Sequence, residues 1–147
     1  MKRVVVLALF VLAALPAYPF GQNKIVYDKF DWHVYHSTHF DVYFYEEERD
    51  SLQRVVDAAE TAYLDLSQKF NYQISKKIPL IFYHTHSAFE QSNVILNFIP
   101  EGVGAFAEPV KNRMVLPIDM PDDELLKLMK HELTHIFEYE IFFQGRL

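Results

Sequence analysis

The chain has no cysteine. A disulfide framework is therefore excluded, and so is a lipid anchor that needs a lipobox cysteine. Basic residues are outnumbered: 14 Lys and Arg stand against 20 Asp and Glu, a formal net charge of −6, and no basic block occurs. Nucleic-acid binding has no electrostatic support in that balance. There is no internal repeat, no low-complexity linker and no phosphate loop. Neither Ser-x-x-Lys nor Gly-x-Ser-x-Gly is present, so the common serine-nucleophile motifs are missing too.

What is present is apolar and aromatic. Half of the 147 residues are hydrophobic and 16% are aromatic, which argues against disorder and allows one domain with a sizeable core. The opening MKRVVVLALFVLAALPAYPFG has Lys2 and Arg3 ahead of an apolar run from Val4 to Leu15, then small residues at Ala13, Ala14 and Ala17. That is the pattern of a secretory signal peptide over residues 1–21, with an uncleaved membrane anchor as the alternative. The run is short for a membrane span, so no stable span is expected after cleavage. Export to a bacterial periplasm or the exterior follows, with residues 22–147 as the folded part.

The pattern along that part predicts a mixed α+β fold. HFDVYFYEE (39–47) reads as a strand whose Tyr and Phe stripe is core. From about Glu47 to Phe70, apolar residues recur at helical spacing through Leu52, Val55, Val56, Ala59, Ala62, Tyr63, Leu66 and Phe70. KKIPLIFYHT (76–85) reads as a second strand, buried on both faces. HSAFEQSNVI (86–95) suggests a short helix with Ser87 as N-cap and Glu90 three residues on. Residues 105–118 read as an edge hairpin turning at Lys111 and Asn112, and EGVGAF (101–106) as a glycine-bearing loop. The last stretch, PDDELLKLMKHELTHIFEYEIFFQG, reads as one long helix with Asp119 as N-cap and Gly145 as its stop, apolar on most sides and so buried.

Within it, residues 131–135 spell HELTH. Histidines at i and i+4 share one helix face, so His131 and His135 can direct two imidazoles at one Zn²⁺. Glu132 lies about 100° around the helix, placed to act as general base toward a water that the metal acidifies. The metzincin pattern requires Gly and His where this chain has Glu138 and Ile141, so that class is excluded. Glu138 falls one turn further along, as a second-shell or solvent-facing group. The other common solution is a Glu from a separate downstream helix, and none follows Gly145. The zinc site is therefore expected to be incomplete in this chain.

The segments HFDVYFYEE, IPLIFYHTHSAFEQSNVI, EGVGAFAEPVKNRMVLPI and KHELTHIFEYEI together resemble the gluzincin-type, peptidase MA-like domains of exported bacterial proteins. Such domains often precede a TolB-like β-propeller in the same full-length chain. The resemblance covers the front part of that domain. It implies a zincin-like N-terminal subdomain: a small mixed sheet with an edge hairpin, packed on a long helix and on the active-site helix. It further implies His131 and His135 as zinc ligands, Glu132 as catalytic base and a peptide or protein substrate. The hairpin from Gly104 to Leu116, with Gly104, Ala105 and Phe106 at the cleft, would form the upper edge strand. The third ligand is a later Glu, so the chain reads as an N-terminal fragment of a zinc metallopeptidase, inactive alone. The competing reading is a non-catalytic envelope domain that keeps the peptidase fold for binding or assembly. His84 with His86, the cluster His33, His36 and His39, and Glu101 with Glu108 are weaker candidates, read as loop and surface groups.

Overall fold

The computed structural model describes residues 30–91, 105–108 and 112–144. The signal-peptide stretch, Glu101, Gly104 and Gly145 lie outside the described residues. The fold is α+β, with a five-stranded mixed sheet of order β1-β2-β3-β5-β4. The strands are β1 (Trp32–His36), β2 (Phe40–Tyr45), β3 (Ile78–Tyr83), β4 (Phe106–Glu108) and β5 (Arg113–Pro117). β2, β3 and β5 run parallel, while β1 and β4 close the two edges antiparallel. Three helices follow in chain order: α1 (Leu52–Phe70), the short α2 (His86–Glu90) and α3 (Asp122–Tyr139).

Period-two alternation explains the core. Phe40, Val42 and Phe44 on β2, Ile78, Leu80 and Phe82 on β3, and Met114 and Leu116 on β5 share one sheet face, and all are buried in the main cluster. α1 lays Val55, Ala59, Ala62, Tyr63 and Leu66 into the same cluster, and α3 adds Leu125, Met129, Leu133, Ile136 and Phe137. The two long helices thus cover one face together. Phe137 stands at their crossing, its ring 5.3 Å from Tyr63 and 5.7 Å from Phe70. Polar clamps set the start of α3. The Arg54 guanidinium donates to the Ile118 carbonyl at 3.0 Å, to the Met120 carbonyl, and to Asp122 at 2.5 Å. Further along, Lys130 reaches Asp65 of α1 at 2.7 Å.

Several local expectations are corrected. β1 was not foreseen: its pattern is exposed at four of five positions, so no hydrophobic alternation announces it. The helix expected from Glu47 begins as a 3₁₀ turn, Glu46–Ser51, and becomes α-helical at Leu52. The cap of α2 is Thr85, whose Oγ1 accepts the Ala88 N–H at 3.2 Å, and Ser87 lies inside the helix. Pro121, not Asp119, occupies the N-cap position of α3, and Asp119 instead accepts the His86 N–H at 3.0 Å. α3 ends at Tyr139, and Glu140–Gln144 continue as a π-helical turn. The hairpin is present, with Asn112 at φ 49 in the left-handed region that Asn tolerates best after Gly. Of its strands only β4 is an edge; β5 is interior, with Pro117 as its last residue.

The three histidines of the β1–β2 region are dispersed onto three different carboxylates. His33 Nε2 lies 3.6 Å from Glu46, His36 Nδ1 2.7 Å from Asp41, and His39 Nδ1 2.6 Å from Glu60. Glu60 also accepts the His39 N–H at 2.9 Å and the Ser37 hydroxyl at 2.7 Å, tying the turn between β1 and β2 to α1. Burial raises the Glu60 carboxyl, but these donors outweigh it and leave the group below the usual range. A depressed folded-state value means that the contribution is present above the unfolded value, about 4.3, and is lost as pH falls through the folded one. Glu60→Gln is expected to lower thermal stability at pH 7 and to flatten the acid limb between pH 5 and 3, read from melting temperatures across that range. An acid limb as steep as that of the parent chain would contradict this role.

Candidate metal site on helix α3

The apolar stripe of α3 determines where the motif points. Leu125, Met129, Leu133, Ile136 and Phe137 are all turned inward and are at most 1% exposed. With about 100° per residue, positions 131 and 135 lie on the opposite side of the helix, about 40° from each other. Both imidazoles are exposed, with ring centroids 5.0 Å apart. The expectation of a helix buried all round is corrected accordingly: one stripe is buried, and the histidine face is open. Phe142 and Phe143, beyond the helix end, are also exposed.

Glu132 sits on the boundary between the two faces and is 7% exposed. Neither of its carboxylate oxygens is among the fully buried polar atoms left without a partner. Glu138 lies one turn below His135, its Oε2 3.5 Å from His135 Nδ1. A carboxylate at Nδ1 favours the tautomer that leaves Nε2 as the free lone pair, the usual way in which a neighbouring group orients a ligating histidine.

Two clefts flank the histidines. One, of about 430 Å³, is lined by Ala107, His135, Glu138, Tyr139, Phe142 and Phe143. The other, of about 480 Å³, is lined by Met120, Glu124, Lys127, Leu128 and His131. The structure thus brings β4 beside His135 through Ala107. Ala105 is buried in the main core, and Phe106 opens β4 opposite Val115. Leu128 and Phe142 are read from the sequence only as apolar positions of the last helix, and Ala107 and Tyr139 carry no site expectation. Strand alternation places Ala107 on the same side as Ala105, and that was the available signal.

The other candidates do not join this site. His84 follows β3, and its N–H donates to the Tyr45 hydroxyl at 3.1 Å. His86 begins α2, with Nε2 3.3 Å from Glu90. Glu108 pairs with Arg113 across the hairpin. Among the described residues no group of three or more His, Asp or Glu could hold a metal ion together. His131 and His135 are thus two imidazoles on one open helix face, with the Glu138 carboxylate 3.5 Å from one of them and Glu132 next to His131 in sequence. No helix among the described residues is long and apolar enough to cross a membrane. No family model, curated protein or solved structure matches the chain.

Because both histidines are exposed, neither is needed for packing. His131→Ala and His135→Ala should each change metal-free stability by no more than about 0.5 kcal/mol in urea unfolding. Each should also abolish the weak zinc binding expected of the 147-residue chain in calorimetric titration. Tight one-to-one binding that survives either substitution would place the metal elsewhere.

Proposed function

We propose that this chain carries the zinc-binding helix of an exported, gluzincin-type metallopeptidase that hydrolyses peptide bonds with water. The observation that carries the reading is the coincidence on α3 of two exposed imidazoles one turn apart with a largely buried glutamate between them in sequence. A surface histidine pair needs no such neighbour. A hydrolytic site does, because a base must stand within reach of the water it deprotonates.

Zinc, when bound, supplies the Lewis acidity that makes water a nucleophile near neutral pH and polarises the scissile carbonyl. This chain's residues do the rest. His131 and His135 donate two nitrogen lone pairs, and Glu138 holds His135 in the ligating tautomer. Glu132 takes the proton from the attacking water and passes it to the departing amine. β4, an edge strand beside α3, offers unpaired backbone groups to which an extended peptide can add. A mixed sheet covered on one face by two long helices, with an antiparallel edge strand next to the histidine helix, also supports a zincin-like N-terminal subdomain. In this proposal the third ligand, a Glu, comes from outside the described residues, and a TolB-like β-propeller belongs to the same gene product.

A second reading is favoured by one observation, the lack of a third metal-binding group among the described residues. In it the domain keeps the fold as a non-catalytic binding or assembly module of the envelope.

Glu132→Gln in the complete gene product separates the two. The peptidase reading expects hydrolysis of a casein or peptide library to fall by about 10²–10⁴-fold with zinc content unchanged. Wild-type protein that holds no stoichiometric zinc, or a variant that hydrolyses at the parent rate, would refute it. A zinc-free wild type with no turnover is what the binding-module reading expects.

A further inference from the structure

A buried acid lies beside the second apolar cluster, on the sheet face opposite the main core. Glu48, in the 3₁₀ turn Glu46–Ser51 that joins β2 to α1, is fully buried. Its Oε2 accepts the Tyr45 N–H at 3.3 Å, while Oε1 is buried with no hydrogen-bond partner. Around it is the second apolar cluster, in which Tyr45, Tyr83, Ala88, Phe89 and Val115 are buried and Phe30 and Ile81 pack against them. The Trp32 ring stands edge-on to Tyr45 at 5.7 Å and to Tyr83 at 5.5 Å.

Among the described residues the charged neighbours are engaged elsewhere, and the carboxyl's own contacts are with the Tyr45 N–H, the Tyr45 hydroxyl and the His84 backbone. On the same turn, Arg49 is engaged with Glu46 at 2.8 and 2.9 Å, and Glu47 adds repulsion. On β1, His33 faces Glu46. On β5, Arg113 is paired with Glu108. Tyr45, Tyr83 and the His84 backbone complete the surroundings, and Tyr45 and Tyr83 are themselves held neutral by burial, Tyr83 with its hydroxyl pushed up to about 12. Among the described residues an ionised carboxylate here would leave Oε1 with no hydrogen-bond donor and with both nearby guanidinium groups, Arg49 and Arg113, already paired. The protonated acid is the form this environment accepts.

We propose that the Glu48 carboxyl is a proton-operated latch: protonated, it seals the Glu46–Ser51 turn against the aromatic face of the sheet, and ionised, it releases that turn together with the packing of Trp32. The acid's proton goes to solvent, and nothing else is exchanged. Burial pushes the carboxyl up to about 8, opposed by its contacts with Tyr45 and the His84 backbone. A folded-state value raised above the unfolded one contributes stability that is complete below the unfolded value and lost as pH rises through the folded one. The device thus loosens this face on the alkaline side, whereas Glu60 weakens the fold on the acid side.

Trp32 is the only tryptophan and reports the latch directly. In the 147-residue chain, the fluorescence emission is expected to shift to the red in one sigmoidal step with a midpoint near pH 8. Glu48→Gln, a neutral near-isostere, is expected to hold the pH 6 spectrum throughout. A flat wild-type titration, or a variant that keeps the step, would overturn the proposal. A ¹³C titration of the Glu48 carboxyl in the wild-type chain requires no variant. A midpoint near 8 supports the latch, and one in the ordinary carboxylate range overturns it.

Discussion

The burial of one stripe of α3 against α1 and the sheet is the constraint from which the rest follows. Leu125, Met129, Leu133, Ile136 and Phe137 must face inward to complete the main core. The helical repeat then leaves no freedom for positions 131 and 135, which are turned to solvent on the same side. Glu132 falls at the seam, about a quarter of a turn from each face. The core thus aims three side chains of unlike chemistry without contributing to the chemistry itself. Burying apolar surface at about 25 cal/mol per Å² holds the helix in place, which two exposed histidines could not do for themselves.

The clamp at the start of α3 belongs to the same logic. Arg54 holds two carbonyls of the β5–α3 connection and Asp122 at once, so the axial position of the helix is tied to α1 and not left to the apolar stripe alone. Lys130, next to His131, repeats the tie through Asp65. At the far end, the Glu138 carboxylate stands 3.5 Å from His135 Nδ1. Polar contacts therefore act along the axis and apolar contacts around it, and together they define the position and direction of both imidazoles.

Strong periodicity made most of the frame legible in the sequence. The α1 stripe from Val55 to Leu66, the buried run of β3, the hairpin around Asn112 and the course of α3 were all apparent from spacing. β1 was not, because WHVYH is exposed along nearly its whole length and its pairing with β2 is a tertiary fact. The caps fall two positions from those the sequence suggests: Thr85 in place of Ser87 and Pro121 in place of Asp119, with tertiary partners such as the His86 N–H on Asp119 deciding between them. The exposure of His131 and His135 was misjudged because α3 carries apolar residues on several sides, including Leu128, Phe142 and Phe143, that the fold does not bury completely. Glu48 was invisible for the opposite reason. In an acidic run, EEERD, nothing local says that one carboxylate is enclosed while its neighbours face water.

The most direct measurement of the central claim is zinc K-edge absorption fine structure on the complete gene product loaded with one equivalent of zinc. The account predicts a first shell of nitrogen and oxygen at about 2.0–2.1 Å with the outer-shell scattering of two imidazoles, reduced to at most one imidazole in His135→Ala. A spectrum without imidazole scattering, or one unchanged by that substitution, would contradict it.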